Sequence, residues 1–202
     1  MRRMMIAVAA GLLAVSVLSA QEPTCKSCPG TYIPVSEVQA YVERATTYNL
    51  VDQQIRQVDI GKSNLAVGVV RRGKLEKAGE VAEHDFVSEV YHVIEGSATL
   101  VLGPDLVGKE RRPATLETVR LFNGPGNNAK SITNGVAYNL KPGDVVIIPA
   151  GTGHQFTKID DHIVYLMVRV DPDKVTPHKT EADSKQYLAT RPEPRGRGQN
   201  DH

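Results

Sequence analysis

The chain has 202 residues, 41% of them hydrophobic, with 24 Lys and Arg against 23 Asp and Glu and a formal charge of +1. That length and apolar content predict one globular domain with its own core. With Arg2 and Arg3 set aside, 22 basic residues face 23 acidic ones, a balance that excludes the basic stripe of a nucleic-acid binder and offers no attraction to an anionic membrane.

Residues 1–20 read as a secretory signal peptide. Arg2 and Arg3 form a basic start, the apolar run from Ile6 to Leu18 is short for a bilayer span, and Ser19-Ala20 supplies small residues for cleavage. The expectation is an exported protein, periplasmic or secreted, with no stable membrane anchor after processing. Export bears on the C-x-x-C pair of Cys25 and Cys28. In an oxidising compartment it reads as a small local disulfide, with a redox-active or metal-binding pair as the alternatives. The pair lies in an N-terminal segment, 21–54, which also carries a short helix over 36–47. Ser36 and Gln39 form a capping-box pattern there, and Val38, Tyr41, Val42 and Ala45 recur at helical spacing.

The stretch 55–171 is almost all strand. Runs rich in Val, Ile, Leu and Tyr at 55–60, 65–72, 89–94, 97–102, 115–122, 145–149 and 163–170 are separated by turn residues. Asn134-Gly135 predicts a two-residue hairpin between Ser-Ile-Thr and Val-Ala-Tyr-Asn-Leu, since both central residues of a type I′ turn need positive φ. Pro142-Gly143 suits a type II turn. The segments 103–114 and 123–128 read as loops, and the charge run from Lys109 to Arg112 as a solvated face. Many short strands with one peripheral helix predict an all-β antiparallel sandwich or small barrel. After Pro172 the sequence turns polar, and 172–202 reads as a largely flexible extension with a short helix near 182–188.

Two stretches carry the chemistry. Glu83 to Gly103 holds His84 and Glu89, and Gly143 to Lys158 holds His154 just past a Pro-x-Gly turn. Two imidazoles and a carboxylate are a metal-ligand set. His84 and Glu89 are five apart, so on one continuous strand they would point to opposite faces. They converge only if the chain turns at residues 85–88, with His84 ending one strand and Glu89 opening its partner. Glu89, Tyr91 and Val93 then face inward and His92 outward. Gly151 and Gly153 permit the reversal that brings His154 in from a second hairpin. Tyr91, on the face of Glu89, is placed to move a proton beside a bound substrate, with a core tyrosine as the plainer reading. Tyr165, Met167 and Arg169 share one face of the last strand, and Arg169 is expected at the rim; His162 is expected to be exposed. No Ser-His-Asp or Cys-His set and no Gly-rich phosphate loop is evident.

These residues resemble the cupin family. Its first motif, G-x5-H-x-H-x3-4-E-x6-G, is matched by His84, Glu89 and Gly96, and its second, G-x5-P-x-G-x2-H-x3-N, by Gly143, Pro149, Gly151 and His154. The chain departs from them at Ala82, in place of the first His, at Lys158, in place of the closing Asn, and at Glu76, in place of the first Gly. The resemblance implies a single jelly-roll β-barrel whose His84, Glu89 and His154 hold one divalent metal ion, with Fe, Mn, Zn, Ni and Cu not distinguished. It implies a small-molecule substrate or ligand. A metal-dependent dioxygenase is the first expectation, a lyase or isomerase the next, and a non-catalytic ligand-binding cupin the alternative from another class. Pairing of barrels into a homodimer, with outward residues such as His92 at the interface, is left open.

Overall fold

The structure is a computed structural model that describes residues 23–25 and 27–192. The expected signal peptide and the end of the tail lie outside those residues. The helix α1 (Val35–Tyr48) comes first. Its N-cap is Pro34, in extended conformation and without a side-chain cap, so the capping box expected at Ser36 does not form. The carboxylate of Glu37, in the first turn, instead accepts from Arg56 at 2.9 Å. Asn49, left-handed with φ 51°, ends the helix by donating its N–H to the Ala45 carbonyl.

Two antiparallel sheets follow. The strands β1 (Asp52–Asp59), β2 (Asn64–Arg72), β3 (Val81–His84), β4 (Ser88–Gly96) and β5 (Ala98–Gly103) precede the short β6 (Asp105–Val107), β7 (Glu110–Arg111) and β8 (Gly126–Ala129). Then come β9 (Ser131–Thr133), β10 (Val136–Leu140), β11 (Val145–Ile148), β12 (Gly153–Lys158) and β13 (Ile163–Asp171). One sheet has the order β1-β2-β13-β4-β11 and the other β10-β5-β12-β3-β8-β7, while β6 and β9 form a separate ribbon. Between them lies a core that includes Tyr91, Val93, Leu100, Ile148, Phe156, Tyr165 and Met167. The alternation of buried and exposed residues along β4 is the period-2 signal expected of a strand with one wet face.

The other face of the first sheet is covered by helix. Tyr41 of α1 packs with Ile55, Val69 and Val164, and α2 (Glu181–Ala189) lies beside it with Tyr187 stacked on Tyr41 at 5.5 Å. A capping box of Thr180 and Asp183 starts α2. Ser184 is fully buried and hydrogen-bonded to Tyr41 and to the Ile55 carbonyl. The short helix expected near 182–188 is thus α2, packed against the first sheet within the extension read as largely flexible.

Several local expectations are corrected. Residues 115–122 form a turn and a π-helical segment, Val119–Asn123, instead of a strand. Local bonds prevail there: Leu116 N–H reaches the Pro113 carbonyl and Arg120 N–H the Leu116 carbonyl. The predicted loops at 103–114 and 123–128 contain β6, β7 and the start of β8. The predicted hairpin at Asn134-Gly135 is absent because β9 pairs with β6 and β10 with β5. Asn134 alone has positive φ, and its amide donates to Asp105. The Pro142-Gly143 turn does form, with Gly143 at φ 91° and Asp144 N–H on the Lys141 carbonyl. Cys25 and Cys28 are joined in a disulfide.

Candidate metal and ligand site

The turn required between His84 and Glu89 exists, but it does more than join neighbours. β3 lies in the six-stranded sheet and β4 in the five-stranded one, so residues 85–87 carry the chain across the barrel, and the two strands are not partners. His84 ends β3, Glu89 is the second residue of β4, and His154 is the second residue of β12. β12 runs beside β3, with His154 opposite Ala82. The six-stranded sheet therefore supplies both imidazoles and the five-stranded sheet the carboxylate. Their ligand atoms lie within 4.8 Å of one another, and all three side chains are buried. His84 Nε2 is 3.5 Å from Glu89 Oε1, and His154 Nε2 is 3.6 Å from Glu89 Oε2.

Hydrogen bonds assign the ring protons. His154 Nδ1 sits 3.3 Å from the Thr152 carbonyl, which can only accept; the proton is on Nδ1, and Nε2 presents a bare lone pair to Glu89. Burial pushes the His154 pKa down to about 4, against the smaller opposing effect of Glu89, so the ring is neutral at pH 7. Two lone-pair groups facing one another at this depth suit a cation between them. His84 differs. Its Nδ1 lies 2.9 Å from Arg112 Nη2, which can only donate, so the neutral ring carries its proton on Nε2. His154 and Glu89 thus fit a metal ion as they stand, and His84 fits once Arg112 leaves Nδ1 and the ring proton moves there.

Glu89 is also held by the protein. Tyr91 donates its hydroxyl to Oε2 at 2.8 Å. Arg169, directly opposite Glu89 on β13, donates Nε to Oε1 at 3.0 Å, and its other nitrogens reach Asp52 and Gln54. Burial alone would raise the Glu89 pKa, but the His84 Nε2–H and the Arg169 guanidinium hold it well below the usual carboxylate range. Burial and then the Glu89 charge push the Tyr91 hydroxyl well above its usual value, so Tyr91 stays a donor. Arg169 is 2% exposed, which corrects the rim position expected for it. Strand parity finds its face, but depth depends on β13 lying between β2 and β4.

Arg112 is a second correction. The run at 109–112 is not uniformly solvated: Arg111 is exposed and pairs with Asp85 at 2.5 Å, whereas Arg112 is only 6% exposed. Its Nη2 donates to the Glu83 carbonyl at 2.6 Å and to His84, and its Nε has no hydrogen-bond partner. Burial lowers its pKa, against the opposing charges of Glu83 and Glu89. The guanidinium lies over Gly126, where a Cβ would stand 2.1 Å from Nη2, so only glycine leaves it this seat. Of the other histidines, His92 is exposed as expected. His162 is partly covered by ion pairs with Asp161 and Glu95, and His178 bonds Asn64.

Residues 129–196 match the family of AraC-like ligand binding domains. The match covers 68 of the 202 residues and takes in β9 to β13 and α2. The fold is that of a cupin. Among solved structures, this chain is similar to the DMSP lyase DddQ from Ruegeria pomeroyi, at 20% identity over 57% of this chain and 42% of that one, with a TM-score of 0.35. It is also similar to the BH2720 protein from Bacillus halodurans, at 16% identity over 78% and 96%, with a TM-score of 0.41. A third is a predicted oxalate decarboxylase from Thermotoga maritima, at 15% identity over 55% and 68%, with a TM-score of 0.31. The chain spans less than half the length of the lyase chain it matches. No curated protein matches it in sequence.

Proposed function

We propose that this cupin binds one divalent metal ion through His84, Glu89 and His154 and takes a small oxygen-rich ligand there, with O₂-dependent oxidation as the first reaction to test and lyase or isomerase chemistry next. The observation that supports it is the convergence of three buried ligand groups from three strands, with the bare Nε2 of His154 turned toward the Glu89 carboxylate. A bound ion would supply Lewis acidity or, if redox-active, a position for O₂. The protein's own contribution is orientation. Tyr91 and Arg169 fix the two Glu89 oxygens, and the Thr152 carbonyl fixes the His154 ring. Tyr91 would serve first as a positioning donor to Glu89, and as a proton donor only to a substrate that draws its hydroxyl away.

A second reading is a metal-free binding cupin. The observation that favours it is that Arg169 already compensates the buried charge of Glu89. Metal content separates the two. Elemental analysis of protein purified from its native compartment is expected to give about one ion per chain, and His154→Ala to abolish it; a metal-free wild type overturns the first reading. O₂ uptake in a substrate screen then divides oxygenase from lyase, isomerase and binder. The proposed location is outside the cytoplasm, which the signal-peptide pattern of 1–20 and the disulfide of Cys25 and Cys28 support.

A further inference from the structure

Around the site Asp52, Glu83, Asp85 and Glu89 face Lys109, Arg111, Arg112 and Arg169, and Arg72 adds a fifth cation near Tyr91 and His154. Lys109 pairs with Glu83, Arg111 with Asp85, and Arg169 with both Glu89 and Asp52. Among the described residues, Arg112 has no carboxylate within ion-pair distance, although it is buried. A buried guanidinium with an unpartnered Nε is costly unless something anionic completes it. A divalent ion would add further positive charge beside it.

We infer that Arg112 is the anchor for a carboxylate on the ligand, so that the substrate class is a small organic acid whose carboxylate sits between Arg112 and the His84 side of the site. A guanidinium recognises a carboxylate through two parallel N–H donors, and Arg112 has donors to spare once it leaves His84. The same movement frees His84 Nδ1 to carry the ring proton and bares Nε2, so carboxylate and metal assist each other. This rests on the ligand and metal reading above.

The test is calorimetric titration of the mature chain with malonate and with its neutral counterpart malonamide, with and without Mn²⁺. Wild type is expected to bind malonate and not malonamide, and to bind Mn²⁺ more tightly when malonate is present. Arg112→Gln is expected to weaken malonate about tenfold or more while still binding Mn²⁺, now without the malonate effect. Arg111→Gln serves as the charge control and leaves malonate binding within about twofold. Equal binding of malonate and malonamide, unchanged malonate affinity in Arg112→Gln, or loss of Mn²⁺ binding in that variant each overturns the assignment; the last would make Arg112 only a support for His84. If Arg112→Gln does not fold, Arg112→Lys decides, since it keeps the charge and loses the fork: a severalfold weaker malonate affinity supports the assignment and an unchanged one overturns it. If wild type binds no Mn²⁺ or Zn²⁺, the metal reading falls, and the metal-free malonate titrations decide the Arg112 assignment by themselves.

Discussion

The two sheets bring different chemistry to the same end of the barrel. The five-stranded sheet contributes a closed set: Glu89 and Arg169 are cross-strand neighbours, and Asp52, Gln54 and Tyr91 take up their remaining bonds. The six-stranded sheet contributes an open one, in which His154 has a bare nitrogen and Arg112 has a donor without an acceptor. The difference teaches where binding energy is available. A fully satisfied polar network resists change, whereas an incomplete one gains by completing itself.

The largest expected effect is on the closed side. Arg169→Met would leave Glu89 buried and Asp52 partly buried without their cation, and a loss of about 3–5 kcal/mol in urea unfolding is expected; a loss under about 1 kcal/mol would show that the network is not what holds the sheet. Next is pH. The unfolded chain protonates His154 near its ordinary value of 6.5, while the folded site does so only near 4. The unfolded state therefore binds more protons in that window, and the metal-free protein should lose stability as pH falls from 6.5 to 4, by on the order of 3 kcal/mol. Glu89, whose folded pKa is depressed, acts in the same direction at lower pH. A flat stability profile from pH 7 to 4 in urea titrations would contradict this, and His154→Gln should remove the first part of it.

Tyr91→Phe removes the donor to Glu89 Oε2 and should cost about 2 kcal/mol while leaving metal stoichiometry intact; loss of the ion instead would make the hydroxyl part of the metal site. The smallest effect belongs to the exposed pair. Arg111→Gln should change stability by no more than about 1 kcal/mol, measured in the same unfolding series. A larger value would mean that the two adjacent arginines are not as different as their burial implies.

The sequence makes the carboxylate side of this comparison more legible than the guanidinium side. Parity alone requires a turn within 85–88, puts Glu89 and Tyr91 inward and sends His92 out, and the spacing of Gly143, Pro149, Gly151 and His154 marks the second ligand stretch. Arg169 is legible only as a face, because its partner Asp52 lies on β1 and reaches it across β2. Arg112 is not legible at all. It follows a two-residue strand paired with a Gly-Asn-Asn segment, where no apolar alternation signals pairing, and its burial depends on the missing side chain at Gly126. At 115–122 the expected strand fails because local hydrogen bonds to the Pro113 and Leu116 carbonyls outweigh a weak β pattern.

The stacked interior below the site sets a size rule. Tyr91 lies 4.3 Å from Tyr165 between ring centres, and Tyr165 lies 6.0 Å from Phe156, with Met167 and Leu100 buried around them. No long molecule can thread down this axis without displacing aromatic rings. A ligand held at His84, Glu89 and His154 would be read by one end only, its head at those residues and any tail directed away from the rings, so selectivity would fall on the first few atoms of the molecule rather than on its length.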